Sequence, residues 1–233
     1  MISIRDILTK FRSILQVDAK FVYTKLGIRQ TRYSNWETGE NKDAKADFYN
    51  LFKEAFGIDL YLSRQEDKFV IVDPRKLSFP QFKLLIDNGA VSEWLPVYNI
   101  DVSGGMLQFY RDETDITADF VVSKGLYKES LFGVPVLGDS MDPVICNGDY
   151  IICKEIMDFK DIISGHIYLL CLVNGIDTVK TVHVHKEEKG LLMLVPANPG
   201  FPVKLARQEE IFKIFKITGF IRADEVLNKL AIL

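Results

Sequence analysis

Apolar positions divide the chain into two textures. In the first, Ile4, Ile7, Leu8, Phe11 and Leu15 recur at the three-and-four spacing of a single helix face. Asp18 is placed to cap a second helix reaching about Leu26, and Gly27 ends it. A third helix begins near Arg29 or Gln30 and runs to Glu37, with Gly39 as its stop. The stretch "DAKADFYNLFKEAFG" predicts a further helix, with Phe48, Leu51, Phe52 and Phe56 on one face. From 58 to 95 the pattern weakens. There "LYLS" and "KFVIVD" predict a short hairpin, and "SFPQFKLLIDNG" a helix with Pro near its start and Gly beyond its end. From Trp94 onward short apolar runs alternate with Gly, Asn, Pro and Asp turns. These are "FVVS", "VPVL", "YIICK", "IYLLCLV", "TVKTVHVH", "LLMLVP" and "IFKIFKITGFI", an all-β texture. The expected fold class is therefore α+β. An all-α N-terminal domain spans 1–64, a connecting segment with some structure of its own spans 65–95, and a mostly-β C-terminal domain spans 96–233.

Composition changes this picture little, and charge changes it more. The chain has 233 residues, 48% hydrophobic and 26% charged, with a formal net charge of -3. That is an ordinary globular profile. Residues 1–64 hold 11 Lys and Arg against 8 Asp and Glu, so a mildly basic head precedes an acidic body. Such a head suits a polyanionic partner. Cys146, Cys153 and Cys171 are odd in number and form no CxxC pair, which fits a reducing, cytoplasmic setting better than a disulfide framework. No apolar run approaches the roughly 20 residues a membrane span needs, and the charged, amphipathic N-terminus does not read as a signal peptide.

The segment Lys20 to Gly39, "KFVYTKLGIRQTRYSNWETG", has the logic of two helices joined by a tight turn. Gly27 permits the left-handed turn, Ile28 tucks inward, and Tyr33 and Trp36 face the core. Gln30, Thr31, Arg32 and Asn35 are left facing out. A helix exposed in this way can lie in a major groove, where Gln reads adenine and Arg reads guanine. "LGIRQTRYSNWETG" resembles the helix-turn-helix of the Cro/CI (XRE) repressor family over roughly the first 60 residues. The resemblance implies that Gln30, Thr31 and Arg32 touch bases, with Ser34 and Asn35 nearby. Two residues depart from the family pattern: Tyr23 stands where a small Ala is usual, and Arg29 replaces the usual Ser or Thr helix cap.

In the β texture, "VPVLGDSMDPVICNGDYIICKE" puts Ser140 at the end of a strand-like run, just before a turn. A nucleophilic serine needs a base, and no Asp-His-Ser constellation is evident. His183 and His185 share a strand face but have no evident third ligand, so no metal and no cofactor is expected. A lysine stripped of water can act as the base, and Ser-Lys pairs are a known variant of the triad. Lys180, in "NGIDTVKTVHV", is the candidate, on a face with Thr178 and Val182 and after an Asn174-Gly175 hairpin turn. "VLGDSMDPVICNGDYIIC" is similar to the V-x-G-x-S-M-x-P signature of LexA-like self-cleaving repressors. "DTVKTV", "LLMLVPANPGFPVKL" and "IFKIFKITGFIR" match later motifs of that family in order, over about residues 95–222.

The resemblance implies a LexA-like, signal-peptidase-like fold with Ser140 as nucleophile and Lys180 as base. Backbone N–H groups of Asp139 and Ser140 would serve as oxyanion donors. It also implies a cut in the chain itself at Ser103-Gly104. Ser103 stands where the family has Ala or Cys, and desolvating its hydroxyl costs roughly 1 to 3 kcal/mol if it stays unpaired. The implied partners are a double-stranded DNA operator and a second copy of the chain, with a RecA filament or an antirepressor protein as the controlling signal, and no membrane. Two functions remain open at this stage: a repressor that cuts itself, and a repressor whose silent β domain answers to a ligand or antirepressor.

Overall fold

The computed structural model describes residues 3–39, 45–100 and 116–225. The chain divides into two compact units, Met1–Trp94 and Leu95–Leu233. The first is mainly helical and the second mainly β, an α+β architecture.

The first unit opens with α1 (Ile4–Leu15), α2 (Ala19–Lys25), α3 (Gln30–Thr38) and α4 (Lys45–Phe56). Ser3 and Asp6 form a reciprocal capping box at the start of α1, and the Asp18 carboxylate accepts the Phe21 N–H at the start of α2. The core is aromatic. Phe11 meets Phe52 and Phe56 edge-on at centroid distances of 4.8 and 4.7 Å, and Trp36 meets Phe48 at 5.0 Å. Such pairs each add about 0.5–1.5 kcal/mol beyond the area they bury. On α4 the buried row is Phe48, Phe52 and Phe56 with Tyr49, while Leu51 is only half-buried. Arg12 of α1 donates to Glu37 of α3 at 2.6 Å, tying the first helix to the third.

The expected hairpin from "LYLS" and "KFVIVD" is not formed. "LYLS" instead opens α5 (Leu60–Glu66), because the Asp59 carboxylate accepts the N–H groups of Tyr61 and Leu62 at 3.0 and 3.1 Å. Those are two of the four donors a helix start leaves over. Leu60 and Ser63, three apart, are the buried positions. "KFVIVD" supplies β1 (Val70–Ile71), which pairs in parallel with β2 (Val91–Ser92). Between them lies α6 (Phe79–Asp87), with Pro in its first turn and the Ser78–Gln81 capping box. Of the segment 65–95, read from sequence as connecting, residues 65–94 thus cluster with the first unit.

The second unit holds a nine-stranded sheet in the order β10-β9-β8-β7-β11-β6-β5-β3-β4. Its strands are β3 (Trp94–Val97), β4 (Phe120–Ser123), β5 (Phe132–Pro135), β6 (Tyr150–Glu155), β7 (His166–Leu172), β8 (Asp177–Val184), β9 (Leu191–Val195), β10 (Lys204–Arg207) and β11 (Ile211–Ile221). All seven apolar runs became strands. The four-residue β3 and β10 lie outside those runs. β11 runs between β6 and β7 and is antiparallel to both. β8 lies between β7 and β9, so both its edges are paired and its residues are held in fixed register. Around it pack Tyr168, Leu170, Val182, Leu192, Leu194 and Ile214, all buried.

Candidate functional site

Two sets of residues stand out, one in each unit. In the first, Gly27 adopts φ +66°, and the Ile28 N–H returns to the Tyr23 carbonyl at 3.0 Å, closing the turn between α2 and α3. Only glycine takes that backbone without strain. Tyr33 and Trp36 are buried, which anchors α3 by its inner face. Gln30, Thr31, Ser34 and Asn35 lie exposed on the outer face. Arg32 differs. It is half-buried, donates to the Asp47 carboxylate of α4, and stacks over the Trp36 ring at 5.1 Å. Tyr23 packs against Tyr33 at a centroid distance of 6.0 Å, filling the space that a small residue would leave. Arg29 gives α3 no side-chain cap.

In the second unit, the chain leaves β5 and enters a turn at Gly138, where φ is +94°. Met141, 1% exposed, plugs this turn into the core. The N–H groups of Val144 and Ile145 donate back to the Met141 carbonyl at 2.9 and 3.0 Å. The far side of the turn is held by buried Asp149, which accepts from the Cys146 N–H at 2.9 Å and from Arg222 at 2.6 Å. Ser140 is thereby presented half-exposed on a stiff support.

Lys180 comes from the middle of β8, opposite Tyr168 of β7. Its Nζ lies 2.7 Å from Ser140 Oγ, 3.0 Å from Thr178 Oγ1 and 2.8 Å from the Val179 carbonyl. The carbonyl can only accept, so it claims one N–H. A neutral amine then keeps its lone pair for the serine hydroxyl, while an ammonium donates to all three oxygens. Lys180 is 8% exposed. Burial pushes its pKa down from 10.5 to about 8, and Lys204, across the same cleft, pushes the same way. The cleft holds about 510 Å³. Its walls are apolar, from Leu172, Val173, Ile176, Leu194, Phe201 and Leu205, and besides Lys180 its ionisable members are Lys204 and Glu210.

Sequence reasoning did not single out Asn198, in the turn between β9 and β10. Its Nδ2 donates to the Asp139 carbonyl at 3.0 Å, and its backbone N–H donates to the Ser140 carbonyl at 3.0 Å. It falls within "LLMLVPANPGFPVKL", the stretch that resembles the family's hairpin motif, but the motif gave it no role. Ser103 and Gly104 lie outside the described residues. His183 and His185 stay apart from the dyad: the Nδ1 of His183 is 3.4 Å from Ser164 Oγ, and the Nδ1 of His185 accepts the Glu188 N–H at 3.0 Å. Among the described residues no group of three His, Cys, Asp or Glu is placed to hold a metal, and no helix is long and apolar enough to cross a membrane.

A serine and a buried lysine in hydrogen-bond contact, at the floor of an apolar cleft, have the geometry that an acyl-transfer dyad requires. Residues 96–219 match the family described as Peptidase S24-like. The chain is similar to the LexA repressor of Mycobacterium sp. (strain KMS), 30% identical over 151 residues, with 60% of each chain covered. It is 28% identical over 152 residues to the LexA repressor of Mycolicibacterium smegmatis, covering 60% of this chain and 58% of that one. With the LexA repressor of Mycolicibacterium vanbaalenii it shares 32% over 112 residues, covering 46% and 43%. The chain thus spans about 60% of the length of the curated relatives it matches best among these.

Proposed function

The chain belongs to the Peptidase S24-like family, and on that premise we propose that it is a LexA-type transcriptional repressor whose β unit cuts its own chain. The observation that carries this reading is the 2.7 Å contact between Lys180 Nζ and Ser140 Oγ in an apolar cleft. Ser140 Oγ attacks the carbonyl carbon of Ser103 while its proton passes to Lys180. N–H groups at Asp139 and Ser140 receive the developing oxyanion. The Ser103–Gly104 C–N bond then breaks, and the new Gly104 amine takes the proton from Lys180. Water hydrolyses the resulting ester and frees Ser140.

The α unit supplies the address. Gln30, Thr31, Ser34 and Asn35 offer a polar outer face of α3 to the edges of base pairs in an operator's major groove. Arg32 reaches a base only by leaving Asp47. One such module buries little surface, so two heads joined through paired β units gain occupancy from effective concentration. Cutting at Ser103–Gly104, inside the second unit and beyond β3 in the chain, separates the α unit from the rest of the sheet and removes that gain. A RecA filament or an antirepressor protein is the proposed trigger.

A second reading is favoured by Ser103, which puts a hydroxyl where the family has Ala or Cys. In that reading the β unit is a catalytically silent dimerisation module. One experiment separates the two: intact mass of the wild type after prolonged incubation at pH 10, alongside Ser140→Ala. Fragments 1–103 and 104–233 from the wild type alone support self-cleavage. An unchanged mass in both proteins, also with an activated RecA filament at pH 7, leaves the silent module.

A further inference from the structure

Resting on the self-cleavage reading, we infer that Asn198 is a positioning residue of the dyad: its hold on the Asp139 carbonyl aims the Ser140 N–H, one of the two groups that stabilise the oxyanion. The carbonyls of Asp139 and Ser140 both accept from this one residue, at 3.0 Å each, one from its side chain and one from its backbone, and the Asp139 oxygen also accepts the Asp142 N–H at 3.1 Å. A trans peptide is flat, with its C=O and N–H pointing in opposite directions. Fixing the Asp139 oxygen therefore fixes the direction of the Ser140 N–H. Its hold on the Ser140 oxygen fixes the next peptide, on the far side of the nucleophile.

Asn198 is itself well held. Its Oδ1 accepts the Gly200 N–H at 2.9 Å, and its carbonyl accepts the Phe201 N–H at 3.1 Å. Pro196 and Pro199 stiffen the chain on both sides. A residue needed only to shape this turn would require the acceptor Oδ1, which an aspartate also supplies. The donor Nδ2 is what asparagine adds, and it is spent on the nucleophile turn. The hairpin that carries Asn198 leads into Phe201 and Pro202, which wall the cleft. A single hairpin thus shapes the cleft and holds the nucleophile's backbone.

The test compares full-length wild type with Asn198→Asp and Asn198→Ser, both of which keep an acceptor for the Gly200 N–H. Two rates are read from pH 6 to 10. One is self-cleavage, by intact mass. The other is labelling of Ser140 by a fluorophosphonate, in which Oγ bonds to phosphorus, fluoride leaves and the proton goes to Lys180. The labelling needs the oxyanion donors but not the Ser103–Gly104 bond. Misaimed donors should slow the plateau of both reactions about 10- to 100-fold, less than outright loss of a donor. In Asn198→Ser the midpoint of the pH profile and the melting temperature should stay at wild-type values. Wild-type rates in both variants overturn the inference and leave the dyad standing. A loss of rate that comes with a shifted midpoint or with unfolding also overturns it, because Asn198 then serves the fold generally. A wild type that neither labels nor cuts overturns the dyad reading and this inference with it.

Discussion

The pH dependence of the proposed self-cleavage is the most direct readout of how deeply Lys180 is buried. Lysine must be neutral to accept the serine proton. With a pKa of about 8, about one molecule in eleven carries the neutral amine at pH 7, about half at pH 8, and nearly all at pH 10. The rate should therefore rise about 10-fold between pH 7 and pH 10 and level off above pH 9. A lysine at its ordinary value near 10.5 would give a rise of roughly 800-fold over the same range, with no plateau by pH 10. Intact mass at timed intervals, in buffers of constant ionic strength, measures the profile. Because the reaction is intramolecular, the rate should not change over a tenfold range of protein concentration. A log-linear rise of slope one continuing past pH 9.5 would refute the argument that burial primes the base. Lys204→Glu should move the midpoint upward, since a carboxylate on that rim favours the ammonium.

The same lysine predicts a stability effect. Its folded-state pKa lies below the unfolded one, so folding carries the full penalty below about pH 8 and recovers it between about pH 8 and 10.5. The shift corresponds to about 3 kcal/mol, from which Lys180→Met loses part through its hydrogen bonds. Urea unfolding should find that variant about 1–2 kcal/mol more stable than wild type at pH 7 and no more stable at pH 10.5, and equal or lower stability at pH 7 contradicts the burial account. Gln30→Ala should cost about 1–3 kcal/mol of operator binding without changing the melting temperature. Arg32→Ala should instead lower the melting temperature of the α unit, because it removes the Asp47 pair and the Trp36 stack. Equal effects of the two variants on binding alone would place Arg32 among the base readers. Gly57→Ala should destabilise the α unit by more than about 2 kcal/mol in thermal unfolding. Gly57 has φ +64°, and a Cβ there would sit 2.0 Å from the Asp73 carbonyl oxygen. An unchanged melting temperature would refute that.

Periodicity made most of the fold readable, because it reports which face is buried. α1, α4 and the seven apolar strands follow from spacing, and α2 and α3 from the Asp18 cap and the Gly27 and Gly39 stops. It failed at "LYLS", where a seven-residue helix is decided by the Asp59 cap and not by any repeat, and at β3 and β10, too short to carry a pattern. Leu51 and Tyr49 exchanged places for a similar reason: neighbouring positions on a helix edge differ little in angle, and the packing partner decides between them. At the candidate site, spacing suggested a buried lysine but held no sign of which hydroxyl it meets. That pairing was proposed from family motifs. The contacts of Asn198 and the Arg32–Asp47 pair were invisible for a common reason: each joins residues well apart in sequence, and each looks locally like an ordinary turn or a solvated helix face.

Those long separations set the order of events while the protein is being made. Ser140 leaves the ribosome well before its base, which follows 40 residues later, and Asn198 comes 59 residues after Asp139. At about 5–20 residues per second, seconds pass between nucleophile and clamp. β8 cannot hold Lys180 in place until β9 has emerged to flank it. The nascent chain therefore carries a serine without a base until β9 emerges, and Asn198 follows three residues after that strand. A chain able to cut itself acquires that ability only as its last strands close, and it is protected during its own synthesis by nothing more than topology.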